Sequence, residues 1–294
     1  MNLTELTKYP KDKIRSLVGL TPEALGELLL TTLPEIEQRR QKQQADKPKR
    51  KRKTGGGRKR LLKPYQEVLL TLLYLRHNVA FSVVGLMFGV SADVAENTFH
   101  EIVLVLRDLC PANRYEAEKH WTKKEPSWKP DALDTIIIDS FETPIPRPSE
   151  KDKQKKYDSG KKKEHTIKTQ VVTDSEGEIQ AIDPGHRGPM ADKRLYEQSD
   201  VEATYPASDK KADLAYLGLP GVGVPHKKPR GGVLTDEQKA SNQQFASGRV
   251  RVEHGIRRIK AFRILRDKYR LGTGLFGMIA SATVGLVQLI RLVG

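Results

Sequence analysis

Asp134-Thr135-Ile136-Ile137-Ile138-Asp139-Ser140-Phe141-Glu142-Thr143-Pro144-Ile145-Pro146-Arg147-Pro148 is the stretch that decides the fold. Ile136 to Ile138 form a β-branched, uncharged run with no polar alternation, the pattern of a strand buried on both faces of a sheet. Ile145 lies between two prolines that lack a backbone N–H, which predicts that the strand ends soon after Asp139. A carboxylate at the end of a buried strand is costly unless it is paired or holds a metal. The competing reading is an Asp that caps the next turn.

Around this strand lies a strongly basic chain of 294 residues, 37% hydrophobic, enough for one large or two modest cores. Its 52 Lys and Arg against 37 Asp and Glu give a formal charge of +15, so a polyanion, nucleic acid first, is the expected partner. Cys110 is the only cysteine, which excludes an internal disulfide and a cysteine-rich zinc site. The seven histidines have no metal-ligand spacing with it, and a reducing, intracellular location is the expectation. Met1 to Pro10 is polar and lacks the apolar core of a signal peptide. Leu275 to Leu292 is the most apolar segment, but Gly277, Ser281, Thr283, Gly285, Gln288 and Arg291 interrupt it. That composition predicts a buried terminal helix rather than a membrane span.

Thr21-Pro22-Glu23 opens a short amphipathic helix over 21–33, with Leu25, Leu28, Leu29 and Leu33 on one face. Packing onto its own domain is the first expectation for that face, and a dimer contact the second. From Arg39 the chain turns into Gln, Lys, Arg and Gly. Lys47 to Arg60 holds nine basic residues, no acid and Gly55-Gly56-Gly57, a flexible arm suited to DNA phosphates. Lys49, Arg50, Lys51, Arg52, Lys53, Arg58, Lys59 and Arg60 are its candidate contacts. Residues 64–109 read as a helical module: helices at Leu69–Leu75 and Ala80–Phe88, a Gly89-Val90 turn, and a third helix capped by Ser91. Phe99, Ile102, Val103 and Leu106 form its inward face. Its outward face offers Asn97 and His100 as base-reading candidates beside Asp93, Glu96 and Glu101, which repel phosphates.

Residues 110–133 read as an irregular connector. Beyond the strand at 134–139, Lys151 to Lys163 carries seven lysines, of which Lys161, Lys162 and Lys163 lie nearest the next strand, His165–Thr173. Asp174 to Gly177 turns into a returning strand, Glu178–Asp183, and Met190–Gln198 reads as a helix. Asp213 precedes a turn marked by Gly218. On the last long helix, Arg249, Glu253 and Lys260 are spaced by four and seven residues, which puts them with Arg257 on one face. An exposed salt-bridge ladder is one reading of that face; a metal-binding carboxylate flanked by cations is the other.

Three acids drawn from a central strand, a later strand end and a following helix suit phosphodiester chemistry. Two divalent ions held by oxygen ligands can activate the nucleophile and relieve charge on the leaving oxygen. Asp139, Asp213 and Glu253 occupy such positions. The order Asp139-Ser-Phe-Glu-Thr-Pro-Ile-Pro-Arg-Pro, Tyr157-Asp-Ser-Gly-Lys-Lys-Lys-Glu-His165-Thr-Ile-Lys168, Asp213-Leu-Ala-Tyr-Leu-Gly218 resembles the DDE (Asp-Asp-Glu) transposases of bacterial insertion sequences, most nearly the insertion-sequence 5 family. Arg249-x3-Glu253-x6-Lys260 is similar to that family's Tyr-x2-Arg-x3-Glu-x6-Lys signature, with Ala246 in the tyrosine's position. Ala215 replaces a glycine common after the second acid, and Asp209 competes with Asp213 for that role.

The resemblance spans about residues 60–290. It implies an α/β fold: a ribonuclease-H-like mixed-sheet catalytic domain preceded by an all-α, helix-turn-helix-containing N-terminal region. The expected division is an N-terminal helical or dimer element (1–46), a basic linker (47–63), a helix-turn-helix DNA-binding domain (64–110) and the catalytic domain (111–294). Asp139, Asp213 and Glu253 become catalytic Mg²⁺ ligands, with Mn²⁺ able to substitute. Lys161, Lys162, Lys163, Lys168, Arg249, Arg257 and Lys260 become DNA contacts. The implied activity is cleavage at terminal inverted repeats and joining of the freed 3′-hydroxyl to target DNA, by a cytoplasmic, nucleoid-associated homodimer or larger homo-oligomer. A metal-dependent nuclease without strand transfer and a non-catalytic DNA-binding descendant are the alternatives.

Overall fold

The computed structural model describes residues 8–45 and 59–294. Lys49, Arg50, Lys51, Arg52, Lys53 and Arg58 of the basic arm lie outside the described residues. The N-terminal region is helical: α1 (Lys11–Val18), α2 (Pro22–Ala45), α3 (Pro64–His77), α4 (Phe81–Phe88), α5 (Ala92–Leu109) and α6 (Arg114–Thr122). The sheet contains β1 (Thr135–Pro144), β2 (Asp158–Ser159), β3 (Glu164–Asp174), β4 (Ile179–Arg187), β5 (Asp209–Ala212) and β6 (Val222–Gly223). Helix α7 (Lys151–Tyr157) lies between β1 and β2, and α8 (Asp192–Gln198) and α9 (Val201–Thr204) between β4 and β5. Two long helices, α10 (Asp236–Lys260) and α11 (Phe276–Val293), close the chain.

Strand β1 is central. β3 pairs with it antiparallel and β4 pairs antiparallel with β3, while β5 and then β6 extend the other side in parallel. This is a mixed sheet of the ribonuclease-H-like kind. Its isoleucine run is buried on both faces, as the lack of alternation predicts. Ile137 packs with Val252, Ile256 and Ile259 of α10. Ile136 and Ile138 pack with Tyr196, Tyr205 and Tyr216 on the opposite side.

The strand does not stop at Asp139. It runs to Pro144, whose Cα partner is Thr166. The Ile145 amide still donates to the His165 carbonyl at 2.8 Å, and the Pro144 carbonyl accepts from Tyr269. Two flanking prolines remove their own donors but leave that of Ile145 free to continue the ladder.

Helix α2 likewise passes its expected end. Pro34 sits inside it, on a face where Leu30 is 74% exposed, so water can satisfy the carbonyl one turn earlier. Leu25, Leu28 and Leu29 pack into the chain's own core. Arg39 bonds Glu35 and Asp108, and Arg40 bonds Glu67 and Glu101, so residues 39–45 continue the helix and are anchored by ion pairs at its start. The connector after Cys110 is also less irregular than expected: Asn113 caps α6, which buries Trp121.

Ser91 caps α5 by accepting from the Val94 amide, and Gly89 takes the positive φ (69°) that the preceding turn requires. Phe99, Ile102, Val103 and Leu106 are all fully buried. Helix α11 lies against α5, α6 and β4 and is mostly buried, although it is long and apolar enough to cross a membrane. A Cβ on Gly285 would fall 1.9 Å from the Cys110 carbonyl oxygen. Gly285→Ala is therefore expected to cost about 3 kcal/mol through overpacking of a rigid helix end. Urea denaturation checks this; a change within about 0.5 kcal/mol would show that α11 and α5 are not in this contact.

Candidate active site

Parallel register brings the first two acids together. Ile138 pairs with Ala212, so Asp139 and Asp213 are the next residues along neighbouring strands that lie about 5 Å apart. Ile138 and Ala212 share one core, and alternation turns Asp139 toward the other face, the one covered by α10. Gly248 and Gly255 let that helix sit close, against Ile137 and Thr173. Arg251 and Arg258 donate to the Ser175 and Gly177 carbonyls of the β3–β4 turn and hold α10 in place. Glu253 then faces a cleft of 280 Å³ that Asp139, Glu142, Lys161, Lys162, Arg257 and Lys260 also line.

Asp139 is half-buried and its Oδ1 accepts from the Ser140 amide at 2.7 Å. Burial pushes its carboxyl up to about 6, against that hydrogen bond, and the neighbouring charge of Asp213 pushes the same way. Arg249 draws it down, which puts this cation on the site's side of α10. Asp213 caps the turn at 214–216 through the Ala215 amide, so the capping role and proximity to Asp139 coexist. Asp209 lies at the opposite end of β5, level with Thr135, and is not a competitor. Burial lowers the pKa of Lys260, whose Nζ lies 5.0 Å from the centre of the Phe141 ring, and Lys162 lowers it further.

A carboxylate that its surroundings leave hard to ionise, with further carboxylates nearby, is the donor chemistry that hard divalent cations take. Among the described residues, no three His, Cys, Asp or Glu side chains are placed so that they could hold a metal ion together.

Several expected contacts stand elsewhere. Lys168 is only 6% exposed, and its ammonium bonds Asp192 at 2.9 Å and the Met190 carbonyl, so it is a structural cation and not a DNA contact. Asp192 also accepts from the Ser140 hydroxyl at 2.6 Å, which ties α8 to the residue after Asp139. Neither Asp192 nor Glu142 was a sequence candidate. Glu142 accepts from Thr166 at the cleft wall. Arg60 is bonded to Glu67 and Glu101 and is not a free arm residue. Glu101 accordingly does not repel phosphates: burial raises its pKa, but Arg40 and Arg60 prevail and hold it below the usual range. Asn97 is exposed on α5, and His100 is half-buried 3.8 Å from Glu96. Lys59 and Lys163 are exposed.

Residues 138–288 match the family model described as DDE superfamily endonuclease, just over half of the chain. The chain belongs to the DDE superfamily of endonucleases. The matched span begins at Ile138 and so takes in Asp139, Asp213 and Glu253 of this DDE endonuclease. Residues 59–111 match the helix-turn-helix of DDE superfamily endonucleases, which covers α3 to α5. A protein of Microchaete diplosiphon assigned as the transposase of insertion sequence element IS702 is 33% identical over 80% of this chain and 84% of its own length. Another of Streptomyces albus G, assigned to element IS112, is 27% identical over 70% and 73%. No solved structure matches. Endonucleases of this superfamily depend on divalent metal.

The Asp139 shift carries a stability consequence. A carboxyl raised from 3.8 to about 6 by folding leaves the metal-free protein unpenalised below pH 4. The penalty grows as pH climbs through 6 and reaches about 3 kcal/mol. Asp139→Asn should therefore stabilise the metal-free protein by up to about 3 kcal/mol at pH 7 and add almost nothing at pH 4. Equal effects at both pH values in urea titrations would contradict the burial of this charge.

Proposed function

We propose that this DDE superfamily endonuclease is the transposase of an insertion sequence of insertion-sequence 5 type. It binds the element's terminal inverted repeats, cleaves the DNA there and joins the freed 3′-hydroxyl to target DNA. The observation that carries this reading is the pairing of Ile138 with Ala212, which leaves Asp139 and Asp213 as the next residues at adjoining parallel strand ends, with Glu253 lining the same cleft as Asp139. The names of the two transposase relatives support it. Asp139, Asp213 and Glu253 would hold Mg²⁺, or Mn²⁺ in its place, which when bound supplies charge relief and activation of the attacking oxygen.

The chain's own cations do the positioning. Lys161, Lys162, Arg257 and Lys260 line the cleft and would grip the non-bridging oxygens and the flanking phosphates. Arg249, which acts on the Asp139 carboxyl, and the exposed Lys163 next to Lys162 would add further phosphate contacts. Asn97 and His100 on α5 are the base-reading candidates, while Lys59 and the arm before it would add sequence-independent affinity. The four-part division at 46, 63 and 110, self-assembly into a homodimer or larger oligomer, and a cytoplasmic, nucleoid-associated location belong to the same reading.

The experiment is a Mg²⁺-dependent assay on duplexes that carry the inverted repeats flanking the gene. Strand-transfer products are expected. Nicked products alone would reduce the activity to that of a nuclease, and binding without cutting would refute catalysis.

A further inference from the structure

Lysines 155 and 156 on α7 meet Arg187, at the end of β4, and Arg194 on α8 around a groove of 400 Å³. All four are exposed, and none forms an ion pair among the described residues. No carboxylate lines the groove; Met190 and its neighbours form the apolar remainder. Of the acids near it in sequence, Asp152, Asp158 and Glu197 form no ion pair with these cations among the described residues, and Asp192 is turned inward to Lys168 and the Ser140 hydroxyl. A concentration of positive charge without counter-ions is unusual in a folded chain, because like charges repel unless a polyanion is to join them.

The groove is built rather than draped. A Cβ on Gly188 would fall 1.8 Å from the Thr166 hydroxyl oxygen, so this turn is seated tightly on β3. The Gly188 amide donates to the Thr166 carbonyl, and the Met190 amide to that of Arg187. Lys168 then fixes the Met190 carbonyl from below. Through Asp192 and Ser140 the same bonds reach the residue beside Asp139. The reacting cleft lies on the α10 side of β1 and is lined in part by Ser140, whose hydroxyl reaches Asp192 at the start of α8 on the other side. Lys161 and Lys162, which line the cleft, lie just past β2, the short strand that follows α7 with its Lys155 and Lys156.

From this continuity we propose that Lys155, Lys156, Arg187 and Arg194 seat the phosphate backbone of the duplex that runs on from the phosphodiester held at Asp139. DNA would thus pass around the sheet from the α10 side to the α8 side. The assignment rests on the proposed DNA-cleaving function and adds to it a second, non-catalytic track.

The test measures duplex affinity against salt for the whole chain and for Lys155→Gln/Lys156→Gln/Arg187→Gln/Arg194→Gln. The probes are a duplex of about 40 base pairs spanning the cleavage position and one cut short on either side of it. Each lost phosphate contact flattens the log–log salt slope by about 0.9, so a loss of about 2–4 is expected with the long duplex and less than about 1 with the short one. Lys123→Gln/Lys124→Gln/Lys129→Gln, which removes exposed charge elsewhere, should change the slope by less than about 1. An unchanged slope in the quadruple variant, or an equal loss in the control, overturns the proposal. A defect seen only when a second duplex is supplied in trans also overturns it, because the groove would then hold that other DNA. Absence of duplex binding by the unaltered chain would instead refute the parent reading.

Discussion

Asp139→Ala is expected to lower DNA cleavage by about a thousandfold while duplex affinity stays within about threefold. The loss corresponds to several kcal/mol of transition-state stabilisation, the order supplied by a cation that neutralises charge on a transferring phosphoryl group. Binding survives because affinity comes from cations elsewhere, and deleting a negative charge beside phosphates cannot weaken their attraction. The substitution also relieves the buried charge, so the variant should be folded and no less stable at neutral pH. Cleavage rates and binding isotherms on one substrate check both halves. Retained cleavage would remove Asp139 from the reaction; lost binding would mean that the variant had misfolded.

Lys168→Met carries the second large effect. The Lys168–Asp192 pair is nearly dry, with side chains 7% and 15% exposed, and breaking such a pair from one side costs about 3–5 kcal/mol. The orphaned Asp192 charge already pushes the Asp139 carboxyl upward, and without Lys168 it would do so unopposed. It would also hold Ser140 less firmly. Cleavage should fall by about 10–100-fold beyond the loss of stability, the range for partners that orient metal ligands. Adding Asp192→Asn to Lys168→Met should recover much of the stability, since the stranded charge disappears. If the double variant is as unstable as the single one, the pair is not coupled as drawn.

Much of this architecture was legible in local chemistry. Ile136–Ile138 announced a doubly buried strand, Ser91 and Gly89 marked a helix start and a turn, and the i, i+4, i+11 spacing put Arg249, Glu253 and Lys260 on one face. Each of these signals is written in residues a few positions apart. What the sequence hid depends on partners far along the chain. Lys168, on the strand after the basic loop, was expected to contact DNA, yet the β3–β4 hairpin carries Asp192 back to it. Arg60 looked like part of a free basic arm until Glu67, 1% exposed, and Glu101 claimed it together with Arg40. Arg187 and Arg194 carry no motif, and only the fold brings them beside Lys155 and Lys156. Proline misled at Pro144 and Pro146, because its missing donor matters only where a neighbour would have used it.

The central claim is that Asp139, Asp213 and Glu253 act as one set of metal-binding oxygens. Crystals grown with Mn²⁺ and a cleavage-site duplex, measured for anomalous scattering at the manganese edge, test it most directly. The expected map has a manganese peak about 2.2 Å from carboxylate oxygens of Asp139 and at least one of the other two acids, next to the scissile phosphate. A saturated complex with its manganese bound elsewhere, and the three carboxylates apart, would contradict it.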